Sequence, residues 1–84
     1  MDKIDLSIQN MMSKVFNVDS ELINLESGQD NLDNWDSLRH LDFVVAVEEE
    51  FDIVFPIEEI GNLTSFKLIS IIVREQLESG NLNY

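Results

Sequence analysis

Apolar residues return at helical spacing in three separate stretches of this 84-residue chain. Ile4, Ile8, Met11, Met12, Val15 and Phe16 share one face, which predicts a helix from Asp2 or Lys3 to Phe16, with Asn17 as its stop. Asp36 is a good N-cap for a second helix over about Ser37–Phe51. Phe66, Ile69, Ile72, Val73, Gln76 and Leu77, with Gln76 the one polar interruption, mark another long helix over about 66–77, capped by Thr64 or Ser65. Leu68 and Ile71 widen its stripe, so this helix is expected to be mostly buried. A short helix should begin around Pro56, since proline suits a first turn, and end at Gly61-Asn62. Residues 18–34 are rich in Asp, Ser, Asn and Gly yet contain Leu22, Ile23, Leu25 and Leu32. They read as a packed loop with a helical turn after Asp19 or Ser20, because a bare loop of that length is unusual in a small domain unless functional. Ile53-Val54-Phe55 has some strand character, but a single short strand has nothing to pair with. The expected fold is all-α, a small four-helix bundle of three longer helices and one short one. It forms one domain over residues 1–84, with a core of about 3–78 and a frayed tail at 79–84.

The charge balance narrows the partners. Seventeen Asp plus Glu against five Lys plus Arg leave a net charge of −12. Nucleic-acid binding needs cations to displace phosphate counterions, and anionic membranes attract basic segments, so both are excluded. A basic protein surface is the natural partner, because complementary fields steer encounter and set orientation. The chain has no cysteine, which rules out disulfides, thiolate metal sites and cysteine nucleophiles; any thiol chemistry must use an imported thiol. The N-terminal residues lack the basic and apolar regions of a signal peptide, and no stretch approaches the ~18 apolar residues of a membrane span. The expected location is the cytoplasm.

The second helix carries two apolar faces. At 100° per residue from Leu38, the side chains of His40, Phe43, Val44, Val47 and Phe51 fall between about 140° and 240°, a core stripe. Leu38, Leu41 and Val45 fall nearly opposite, between about 300° and 360°, interleaved with Asp42, Glu48 and Glu49. A helix in a small domain can pack on more than one side, which is an ordinary account of Leu41. Leu38 and Val45, flanked by acids, read instead as a docking surface on which aliphatic contacts give affinity and carboxylates give orientation.

Most site chemistries fail on residue type or spacing. One His and no Cys leave zinc only carboxylates, and an EF-hand frame starting at Asp30, Asn31 or Asp33 puts Leu32 or Trp35 on a ligand position. Gly28, Gly61 and Gly80 are too scattered to cradle a phosphate. Ser37 and His40 are neighbours on one helix, but a hydrolase also needs an orienting acid, an oxyanion hole and a cleft, and His40 lies on the core stripe. Ser37 remains. It is the first residue inside a helix capped by Asp36, beside unpaired backbone N–H groups and the positive end of the helix dipole, where an attached phosphate would be favoured. Physics alone leaves this reading and that of a tolerated first-turn serine both open.

Trp35-Asp36-Ser37-Leu38, followed by Arg39-His40-Leu41-Asp42-Phe43-Val44-Val45-Ala46-Val47-Glu48-Glu49-Glu50-Phe51, resembles the acyl carrier protein family. Asp-Ser-Leu is that family's attachment motif, and a following helix ending Glu-Glu-Glu-Phe is typical of discrete bacterial members. Length, acidity and the four-helix pattern extend the likeness from the first helix through Leu77, including Ile53-Val54-Phe55-Pro56 and Leu63-Thr64-Ser65. The resemblance implies a non-enzymatic carrier whose Ser37, flanked by Asp36 and Leu38, receives 4′-phosphopantetheine from coenzyme A through a magnesium-dependent phosphopantetheinyl transferase. The arm's thiol would hold an acyl or aminoacyl group as a thioester. Leu38, Leu41, Asp42, Val45, Glu48 and Glu49 match the family's recognition helix, on which basic patches of the transferase and of loading and processing enzymes dock. A monomer is expected. Arg39 and Trp35 depart from fatty-acid carriers and are more familiar in polyketide, nonribosomal peptide or cell-surface pathways, with fatty acid synthesis as the other setting. Two other readings stand beside it: an unmodified acidic helical adaptor or inhibitor of a basic protein, and a small hydrolase using Ser37 and His40.

Overall fold

Asp2 opens the first helix as a side-chain cap, its Oδ1 accepting the Asp5 N–H at 3.0 Å. In the computed structural model, which describes residues 2–32 and 34–79, this helix is α1 (Lys3–Phe16). It is followed by a 3₁₀ turn (Ser20–Leu22), α2 (Ser37–Phe51), the short α3 (Ile57–Ile60) and α4 (Phe66–Ser79). The architecture is all-α, with three longer helices and one short one. The described residues form no strand, only an isolated bridge between Gly28 and Ser65. No helix among them is long and apolar enough to cross a membrane. The tail that reads as frayed lies, from Gly80 onward, outside the described residues.

The helices bury the stripes that their spacing predicts. Ile8, Met12 and Phe16 of α1 face Phe43, Val44 and Val47 of α2 and Phe66, Ile69 and Val73 of α4 in one apolar cluster. α1 packs against both α2 and α4. Three expectations need correction. Leu68 and Ile71 do not widen the buried face of α4; they are 41% and 43% exposed. In the 18–34 loop Ile23 is buried and Leu32 partly so, but Leu22 and Leu25 point to solvent. α4 also runs to Ser79 rather than to Leu77.

The long loop is held by side-chain amides and hydroxyls. Gln9 Nε2 donates to the carbonyls of Ser20 and Ile23 at 2.8 and 2.9 Å, and Asn34 Nδ2 donates to the carbonyl of Phe16 at 2.7 Å. Its far end is joined to the start of α4: Gln29 N–H donates to Thr64 O, and Phe66 N–H to Ser27 O. The backbones approach so closely that a Cβ on Gly28 would lie 2.7 Å from Thr64 O, so glycine alone fits there. Ser65, whose Oγ accepts the Leu68 N–H at 3.2 Å, is the cap of α4.

A polar cluster ties the chain's beginning to α4. Arg74 reaches Asp2 at 2.7 Å and Asp5 at 3.2 Å, and the Ser70 hydroxyl donates to Asp5 at 2.6 Å. The Asp5 backbone N–H, and then the Arg74 guanidinium, hold the Asp2 carboxyl below the usual carboxylate range. A carboxylate depressed in the folded state stabilises above its unfolded pKa of ~3.9, and the contribution is lost as pH falls through the folded value. Thermal melts between about pH 5 and about pH 2 should therefore show Asp2→Asn losing less stability on acidification than the unsubstituted chain. Parallel losses would remove Asp2 from the acid response.

Candidate functional site

The site lies at the head of α2. Asp36 adopts an extended backbone (φ −97°, ψ 179°), and its Oδ1 accepts the Arg39 N–H at 2.8 Å. Its other oxygen pairs with the Arg39 guanidinium, also at 2.8 Å. That backbone N–H first, and the guanidinium charge with it, lower the Asp36 pKa. The cap carboxylate thus stays ionised while Arg39 partly neutralises it, which lessens repulsion toward an anion placed beside it.

Ser37 is the first residue of the helix and is exposed. Its hydroxyl makes no hydrogen bond to the described residues. It borders an open depression of about 310 Å³, with Gln29, His40, Leu41 and Gly61 as the other walls. An exposed, unencumbered hydroxyl at the positive end of a 15-residue helix suits attachment of a phosphate-bearing group.

His40 sits in the same depression but is committed elsewhere. It is buried, and its Nδ1 lies 2.8 Å from the indole Nε1 of Trp35. An indole N–H only donates, so Nδ1 is the acceptor and Nε2 carries the proton. Nε2 then donates to the carbonyl of Ile60 at 2.7 Å. Both ring nitrogens are occupied, and no lone pair is left to take a proton from Ser37. The Ser37–His40 pair is adjacent without forming a nucleophile–base dyad.

Along α2 the two faces separate as their angles require. Phe43, Val44 and Val47 are buried, whereas Leu38, Leu41 and Val45 are 71%, 52% and 51% exposed. Asp42 and Glu49 are exposed among them. Glu48 differs: it is half-buried, and its Oε2 accepts the Phe55 N–H at 2.8 Å, fastening the segment before α3 onto α2. Ser37, Leu38, Leu41, Asp42, Val45 and Glu49 thus share the solvent-facing side of one helix, with Glu48 at its edge.

No protein-family model matches this chain, and no curated protein does. Among the described residues, no group of three or more His, Asp or Glu is placed to hold a metal ion.

Two exposed aliphatic residues escaped the sequence reading. Val54 and Ile57 are 76% and 85% exposed, on the segment that Glu48 and His40 hold to α2. The alternation about Phe55 signals Val54, which falls out of phase with that buried ring, whereas Ile57, two positions on, falls in phase with it and carries no such signal. The Trp35–His40–Ile60 chain was missed as well, although a histidine on a core stripe and a nearby tryptophan both demand polar partners.

Proposed function

We propose that this chain is a carrier protein of the acyl carrier type, with Ser37 as the attachment point for 4′-phosphopantetheine. The observation that carries this reading is the exposed Ser37 hydroxyl at the head of α2, on a helix whose outer face sets Leu38, Leu41 and Val45 among acids. In the loading step the Ser37 Oγ attacks the phosphorus that links the arm to the nucleotide half of coenzyme A. A phosphodiester to Ser37 forms, the bond to the nucleotide breaks, 3′,5′-ADP leaves, and the hydroxyl proton goes to a base on the transferase. The arm supplies the thiol that this cysteine-free chain lacks. The chain itself offers the hydroxyl, a helix terminus that tolerates the new anion, and the Asp36–Arg39 pair that fixes the first turn. Leu38, Leu41 and Val45 give apolar contact to an enzyme with a basic patch, and Asp42 and Glu49 orient it.

Intact-protein mass spectrometry after incubation with coenzyme A, magnesium and a promiscuous phosphopantetheinyl transferase tests the reading. A gain of one phosphopantetheine, mapped to Ser37, supports it. A folded protein that gains nothing favours the unmodified acidic adaptor. Docking has its own test, for which Asp42 and Glu49 are the residues to reverse, because Glu48 also holds the Phe55 N–H. The Asp42→Lys, Glu49→Lys double variant should be modified roughly tenfold more slowly at low ionic strength, with a flatter salt dependence. An unchanged rate removes these carboxylates from the docking surface.

A further inference from the structure

The depression beside Ser37 holds about 310 Å³, and of its walls, Gln29, Ser37, His40, Leu41 and Gly61, only Leu41 is a large aliphatic residue. Its inner wall is the buried ring of His40, which is pinned on both sides. The Trp35 indole donates to Nδ1 at 2.8 Å, and Nε2 donates to the Ile60 carbonyl at 2.7 Å. Trp35 is in turn stacked on Phe16, with ring centroids 4.6 Å apart, and lies edge-on to Phe43 at 5.9 Å. Phe16 and Phe43 are 0% and 1% exposed. A path from Ser37 toward the apolar interior beside α2 therefore runs through two buried hydrogen bonds and an aromatic stack. Opening it would strand an indole N–H, an imidazole and a carbonyl away from water.

From this we propose, resting on Ser37 as the attachment point, that the chain carries its cargo outside the helices, and that the cargo is a short acyl or aminoacyl group, not a long alkyl chain. A tethered alkyl chain is stabilised by a protein only where apolar walls replace water along its length. The depression is open, and although much of its lining is apolar, Leu41 is its one large aliphatic wall and the pinned His40 ring closes it inward, so it gives a long chain no apolar channel. A short group with a polar end stays hydrated and needs no groove.

The test loads the folded protein with acetyl- and octanoyl-phosphopantetheine from the corresponding coenzyme A thioesters, using a promiscuous transferase, and verifies each product by mass. Trp35 is the only tryptophan, so its indole N–H gives a single resonance that reports on the bond to His40. The acetyl and octanoyl forms are expected to melt within about 2 °C of each other, with the indole resonance in the same place. An octanoyl form that melts roughly 10 °C or more above the acetyl form, with a displaced indole resonance, would overturn the cargo assignment and leave Ser37 standing as the attachment point. A folded protein that accepts neither arm would sink the carrier reading and the cargo assignment together.

Discussion

Replacing Phe16 by alanine is expected to cost about 3–5 kcal/mol, a large share of the roughly 5–15 kcal/mol that holds an ordinary domain together. Phe16 has no exposed surface. It closes the last turn of α1, stacks on Trp35 at 4.6 Å and meets Phe43 at 5.5 Å. Its removal opens a cavity where α1, α2 and the end of the long loop converge, and the ring packing that steadies Trp35 goes with it. Urea unfolding followed by circular dichroism measures the loss. Phe16→Leu, which keeps most of the volume, should cost clearly less. A loss below about 1 kcal/mol for Phe16→Ala would mean that Phe16 is not at the centre of the core.

Ser37→Ala is the second large effect, and it falls on function alone. Loading should drop from one phosphopantetheine per chain to none, because no other atom at the head of α2 can form the phosphodiester. Stability should move by no more than ~0.5 kcal/mol, since the side chain is exposed and its hydroxyl has no partner among the described residues. Mass spectrometry and a thermal melt on the same sample read both. An alanine variant that still gains the arm places the attachment elsewhere.

The helices and the head of α2 were legible in the sequence because each depends on neighbours within a few positions. Ile8, Met12 and Phe16 reveal their shared face by spacing, and Asp36 reveals the start of α2 by the chemistry of a cap. The exposure of Leu38 and Val45 followed from the same count of angles. What stayed hidden depends on residues far apart in the chain. Periodicity gives the direction of Leu68 and Ile71 but not whether another helix lies on that side, and among the described residues both stay exposed. Glu48 reads as one more acid on the outer face until the backbone turns after Phe51 and brings Phe55 N–H to its carboxylate. The locking of His40 needs Ile60, and the Asp2–Arg74 pair joins opposite ends of the described chain. Partner choice at such distances is set by how helices pack, which no local pattern encodes.

Two helix ends bear on how far this fold has been optimised. α1 and α2 both terminate on a residue in the left-handed region, Asn17 at φ 56° and Asp52 at φ 54°. Glycine occupies such positions without steric penalty, and helices commonly end on it for that reason. At Asp52 the side chain also adds to a charge of −12 that already repels itself. Neither end has been driven to its most stable residue, as befits a protein held only above the threshold its work requires. Both are surface positions clear of the head of α2, so they are where an engineer would begin to harden this scaffold without touching Ser37 or the exposed aliphatic side of that helix.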